Sequence, residues 1–295
     1  MSALAAARSP LTMPVPLPAG TKLLGEVISW TCSGVAVTHP ALVDALTTAG
    51  LDPAVARELA PRHAFTRACK RLSDARIIRR VAEDDATLTF QFTQETRSSD
   101  RIEYTLETML ALDKQTGKVT CPLPGLAAAA QEELDRAVTA RTGADVTRVV
   151  QKLFERHADL FPVRPQGGVY FVPDRHVGFV EKVQALLGRL GGQVLRFPVP
   201  AGTPEGDRSV KDAVAAGLAA LIQEHRQAIA AFGTDTRDGT LDRAADRVRA
   251  TQFKVQAYAE YLLDEKANLD RALATARAEL RAKVEQLAEA PLAVA

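Results

Sequence analysis

The sequence predicts an α+β protein with three successive parts: a winged-helix-like N-terminal domain with an extended β-meander, a small β-α-β middle domain, and a long C-terminal antiparallel helical hairpin or coiled coil. Three observations support this. Short helical runs between positions 39 and 72 precede segments that alternate apolar and polar residues up to Cys121. A strand, helix, strand pattern occupies 169–199, and from Leu241 onward apolar residues recur every seven positions. The boundaries that follow are a disordered tail over 1–20, a winged-helix-like α+β domain over 21–121, a small α/β domain over 126–200 and a helical arm over 207–290.

Residues 27–38 alternate loosely and suggest a strand pair turning at Ser33 and Gly34. A helix then opens at His39-Pro40, places Leu42, Val43, Ala45 and Leu46 on one stripe, and stops at Gly50. Asp52 is an N-cap, with Pro53 in the first position of a second helix over 54–60. Pro61 ends that helix and lets a third begin over 62–72. Strands are predicted at 77–81, at 87–93 with Leu88, Phe90 and Phe92 on one face, and at 102–112, with a turn at 113–117 leading into 118–121. Three helices followed by a hairpin is the order of a winged helix-turn-helix.

Pro122, Pro124 and Gly125 mark a linker. Helices are predicted over 126–141 and 145–157, the second with Val146, Val149, Val150, Leu153 and Phe154 inward. After Pro162 and Pro165 come a short strand at 169–172, a helix capped by Asp174 with Phe179, Val183, Leu186, Leu187 and Leu190 buried, and a strand at 194–199. This is a compact β-α-β unit or a second winged-helix-like fold with an inserted helix. In the arm, a helix over 207–232 is followed by a turn and a second, longer helix. Its heptad row is Leu241, Val248, Val255, Leu262, Leu269 and Ala276; a weaker row of Ala245, Ala259, Leu273, Leu280 and Leu287 is interrupted by Gln252 and Lys266. At about 1.5 Å rise per residue the second helix would reach roughly 70 Å and overhang the first. Its seam, with Leu241, Val248, Val255, Leu262, Leu269, Leu273 and Leu280 as interface residues, needs a cover, which is the globular part of the chain, a second copy or another protein, with self-association or a protein partner expected.

Composition narrows the function classes. The 295 residues include 37 basic and 36 acidic side chains, for a net charge of +1, which excludes a uniformly cationic histone-like binder. At 5% aromatic content, little material exists for a base-stacking platform. The three cysteines, Cys32, Cys69 and Cys121, show no CxxC spacing, so neither a disulfide framework nor a zinc site is indicated, no cofactor is expected, and the cytoplasm is the expected compartment. Prolines interrupt any signal-like apolar run within 1–20, and no stretch reaches the 18 or more apolar residues of a membrane span, so no membrane partner is expected.

The strongest local signal is basic. Arg57, Arg62, Arg67, Lys70, Arg71, Arg76, Arg79 and Arg80 fall within one short segment. Arg67, Lys70 and Arg71 share a face of the third helix, the element that enters the major groove in a helix-turn-helix. The nucleic-acid reading takes Arg62, Arg67, Lys70, Arg71, Arg76, Arg79 and Arg80 as contacts to duplex DNA. The competing reading pairs these arginines with Glu83, Asp84, Asp85, Glu103 and Glu107 and makes the chain an assembly or adaptor protein. A third, a hydrolytic enzyme, rests on Asp174, Arg175 and His176 after an apolar strand. The turn from Asp235 to Asp246 fails the EF-hand pattern. No Walker A, GxSxG or HExxH motif is present, and a non-enzymatic protein is expected.

Overall fold

The computed structural model describes residues 20–289 apart from 75, 165 and 235. The tail expected over 1–20 lies outside these residues except for Gly20, and so does Asp235 of the turn weighed as a calcium loop. The elements in order are β1 (Leu23–Thr31), β2 (Ala36–Thr38), α1 (His39–Thr48), α2 (Pro61–Arg71), β3 (Arg76–Glu83), β4 (Thr87–Arg97), β5 (Ile102–Asp113), β6 (Val119–Thr120), α3 (Pro124–Thr139), β7 (Ala140–Thr142) and α4 (Gly143–His157). They continue with β8 (Phe161–Pro162), β9 (Tyr170–Pro173), α5 (Val177–Arg189), β10 (Gln193–Pro200), α6 (Pro204–Ala230), α7 (Asp238–Ala257), α8 (Ala259–Leu262) and α9 (Glu265–Glu289). The protein is thus mixed α+β, with several antiparallel pairings and a helical C-terminal region. No helix among the described residues is long and apolar enough to cross a membrane.

The chain forms two compact units, neither continuous in sequence. One comprises Met1–Trp30, Phe154–Glu181 and Val194–Ala295; the other comprises Thr31–Leu153 and Lys182–Gln193. This division differs from the three successive domains read from the sequence, and strand pairing gives the reason. Instead of turning back at Ser33-Gly34, β1 pairs antiparallel with the distant β9, from Gly25↔Pro173 to Ile28↔Tyr170, while β2 pairs with β7. At Gly25 the backbone has φ 154°, and a Cβ there would lie 2.1 Å from the Val172 carbonyl oxygen, so only glycine fits.

In the first unit the sheet order is β10-β1-β9-β8. The predicted strand, helix, strand passage exists as β9, α5 and β10, but β1 lies between its two strands. The helical arm departs further from expectation. The second helix is not one rod: it breaks at Tyr258 and again at Leu263, which has φ 47° and ψ −119°. Consequently α6, α7 and α9 all pack on one another. Val248, Val255, Leu262, Leu269, Leu273 and Leu280 join Val210, Val214, Leu218, Ile222 and Ile229 in one core, and Leu241 is half-buried. Six of the seven residues read as an exposed interface are therefore buried within a single chain. The weak points of the heptad fit this reversal: Gln252 of α7 accepts a hydrogen bond from Arg277 of α9, and Lys266 pairs with Asp270 just past the break.

In the second unit, β3-β4-β5-β6 is an antiparallel meander. One face is covered by α2 and α3: Leu88, Phe90, Phe92, Leu110 and Leu112 pack with Ala64, Phe65, Ala68, Cys69, Ala130, Leu134 and Ala137. Residues 122–125 are accordingly no domain boundary, because α3 packs directly on α2. The predicted helix over 54–60 is only a 3-10 turn, Pro53–Val55, capped by Asp52. Pro61 explains the shortfall, since the residue before a proline is driven out of the helical region; Ala60 has ψ 142°. Elsewhere in this unit α1 buries Leu42, Ala45 and Leu46, and α4 buries Val146, Val149, Val150 and Leu153.

Candidate functional site

The seven residues assigned to DNA contact do not form one free cationic face. Proline at the first position starts α2, whose apolar side faces the meander and whose polar side carries the charges. Arg67 grips Asp145 with two bonds, Nη1 to Oδ2 at 2.8 Å and Nη2 to Oδ1 at 2.5 Å. Burial pushes the Asp145 carboxyl up, but the Arg67 guanidinium and the Thr142 amide and hydroxyl outweigh it and hold it at about 2. Arg71 pairs with Glu133 at 3.0 Å. Arg76 donates from Nε and Nη2 to Glu107 at 2.5 and 2.9 Å, which keeps that carboxyl below its ordinary range. Arg80 reaches Glu83 at 2.6 Å, and Glu83 also takes Lys114. Of the predicted set only Arg62, Lys70 and Arg79 are exposed and lack a carboxylate partner among the described residues. Arg79 stands opposite Gln91 on β4 and Arg80 opposite Phe90, so these neighbours project from opposite faces of the sheet.

A second polar cluster, in the other unit, was missed by sequence reasoning except for two members. Asp159, in the link between α4 and β8, accepts from Tyr258 Oη at 2.5 Å, Arg175 Nη2 at 3.0 Å and Lys254 Nζ at 2.6 Å, and it meets His176 Nε2 at 3.3 Å. Burial pushes the Asp159 carboxyl up, but its bonds to His176, Lys254 and Tyr258 hold it far below the usual range. Burial, reinforced by Asp159, pushes the Tyr258 phenol up, and the Arg175 guanidinium lies 4.2 Å from the centre of that ring. Asp174 is not in this cluster; it lines an adjacent cleft of about 300 Å³ with Lys22, Arg175, Glu260 and Tyr261. Arg175 and His176 therefore have a carboxylate partner, but one supplied from a distant segment, and no sequence spacing could have indicated it. The donors all converge on one saturated carboxylate, which ties the β8–β9 region to the end of α7. Among the described residues no group of three or more His, Cys, Asp or Glu side chains could hold a metal.

The third feature is the outer side of the meander. Strand β5 pairs with β4 along its length, but β6 covers its other edge only at Ala111 and Leu112. Over 102–110 that edge has no strand partner among the described residues. A bulge lies here: Phe92 pairs with Thr108 and Thr93 with Leu106, leaving Glu107 as the extra residue. The bulge shifts the alternation, so that Leu106 sits with Thr93, Tyr104 with Glu95 and Ile102 with Arg97 on the face away from the helices. Ile102, Tyr104, Leu106 and Met109 are respectively 49, 58, 54 and 44% exposed, a contiguous apolar row beside a free edge. Uninterrupted alternation would put Ile102, Tyr104 and Leu106 on the face of Leu110 and Leu112; the bulge puts them on the other.

A model described as "Family of unknown function (DUF6744)" matches residues 23–292, and the chain belongs to that family. No curated protein and no solved structure matches it.

Proposed function

We propose that this DUF6744 member is a non-enzymatic assembly or adaptor protein that takes up another β-strand along the free edge and outer face of β5. The observation that carries this reading is the row Ile102, Tyr104, Leu106 and Met109 beside unpaired backbone over 102–110. An edge strand offers unpaired N–H and C=O groups to which another strand can add, and the large apolar side chains beside it supply cross-strand contacts. The fate of the arginines supports this reading over the nucleic-acid one, because Arg67, Arg71, Arg76 and Arg80 each hold a carboxylate.

A photo-crosslinking residue at Tyr104, introduced in cells that make the protein, tests the reading. It is expected to give discrete protein adducts, while the same residue at Glu132 on α3 gives none. Absence of adducts at Tyr104 above that control removes the proposal. DNA contact retains a narrower basis in Arg62 and Lys70, exposed on α2. A titration with duplex DNA at about 50 mM salt checks it; binding that falls steeply with salt and is lost in Arg62→Ala/Lys70→Ala supports that second reading.

A further inference from the structure

We infer that the strand taken up by β5 is the β5 of a second copy of this chain, antiparallel to the first, with a twofold axis at Tyr104. This inference rests on the reading of β5 as a docking edge and names its occupant. Self-complementarity of the strand is the argument. In an antiparallel pair, directly opposed residues point to the same face, so a twofold pairing that joins outer row to outer row must centre on a residue. Centring on Glu103 sets that carboxylate against its own copy, and centring on Thr105 sets Glu103 against Glu107 of the second chain. Like charges directly opposed disfavour both. Centring on Leu106 carries the pairing across the Glu107 bulge and opposes outward Tyr104 to Thr108, which faces the buried side.

Centring on Ile102 opposes only Ile102 to its own copy within the strand, because β5 begins there, so Tyr104 is the centre that pairs the whole regular stretch 102–106. There Ile102 meets Leu106 of the second chain, Tyr104 meets Tyr104, and Glu103 meets uncharged Thr105. Apolar and aromatic cross-strand pairs of this kind stabilise a sheet. The two four-stranded meanders become one continuous sheet, and the two apolar rows lie side by side on its outer face, in cross-strand contact. The bulge at Glu107 limits the pairing to this stretch by kinking the strand beyond it.

The test uses the full chain. Sedimentation equilibrium between roughly 1 and 100 µM is expected to show a dimer whose dissociation constant rises at least about tenfold in Leu106→Lys, with unchanged circular dichroism. Mild oxidation of Tyr104→Cys is expected to give a disulfide joining the two copies at position 104, identified by peptide mass. It should form far faster than the corresponding crosslink in Glu103→Cys or Thr105→Cys, because only a residue on the axis meets its own copy. A monomer throughout the range, a dimer indifferent to Leu106→Lys, or faster crosslinking at 103 or 105 overturns the inference. Failure is distinguishable at the two levels. Adducts at Tyr104 containing a different protein would end the homodimer and keep the docking edge, whereas no adducts at all would end both.

Discussion

Replacing Asp159 by alanine tests whether the buried polar cluster holds the first unit together. Asp159 is the shared acceptor for Tyr258, Arg175, His176 and Lys254. Its removal leaves the buried Tyr258 hydroxyl without that acceptor, a loss of about 1–3 kcal/mol. The two ion pairs contribute less than buried ones would, because the Arg175 and Lys254 side chains are 46 and 40% exposed; about 0.5–1 kcal/mol in total is appropriate. The expected destabilisation is therefore about 1.5–4 kcal/mol. Trp30 supplies the probe: it is the only tryptophan, lies in the same unit, and stacks on Phe154 and Tyr170. Urea unfolding followed by its fluorescence gives the difference between variant and wild type. A loss below about 0.5 kcal/mol refutes the argument. The pH dependence gives a second check. Because the folded-state pKa of Asp159 is depressed, the stabilisation is fully present above the ordinary carboxylate value of about 3.9 and declines as pH falls below it. The gap between wild type and Asp159→Ala should therefore narrow in acid, and a gap that widens as pH falls from about 5 to 3 contradicts the assignment.

Further outcomes follow from particular residues. Leu262→Lys puts a charge into the core shared by α6, α7 and α9 and should unfold the first unit, seen as loss of Trp30 emission at low urea; a folded protein of lower oligomeric mass would restore the interface role of the heptad row. Leu263→Gly relieves a left-handed backbone at an exposed position and should stabilise that unit by about 1 kcal/mol in the same assay. Gly25→Ala should destabilise it by more than about 2 kcal/mol, because the new methyl group meets the Val172 carbonyl. Of the three thiols, Cys121 alone should react with a thiol reagent in the native protein, measured by mass spectrometry: Cys32 and Cys69 are buried, and burial pushes the Cys69 thiol up to about 12.

Local chemistry was largely legible in the sequence. Prolines at 40, 53 and 61 stand at or beside helix starts, Gly50 follows the end of α1, and the alternation of Leu88, Phe90 and Phe92 identifies a half-buried strand. Val248 and Val255 of α7 and Leu269 and Ala276 of α9, members of the heptad row, are buried, though the row reads as an exposed seam. These features act over a few residues, where backbone sterics and apolar periodicity decide the outcome. Candidate-site chemistry was legible only as charge density, because whether an arginine is free depends on acids such as Asp145 and Glu133 that are remote in sequence.

Only the tertiary structure decided what each pattern packs against. The apolar seam of the C-terminal helices turned back into its own chain because the path reverses at Leu263, and a periodic row does not specify which molecule covers it. Strand β1 found β9 instead of β2, since alternation sets the buried face of a strand but not its partner. At β5 a single extra residue, Glu107, puts Ile102, Tyr104 and Leu106 on the face opposite that of Leu110 and Leu112. Periodicity fixes a residue's neighbours along its own element; the partner across space is set by long-range pairing, which the order of residues does not display.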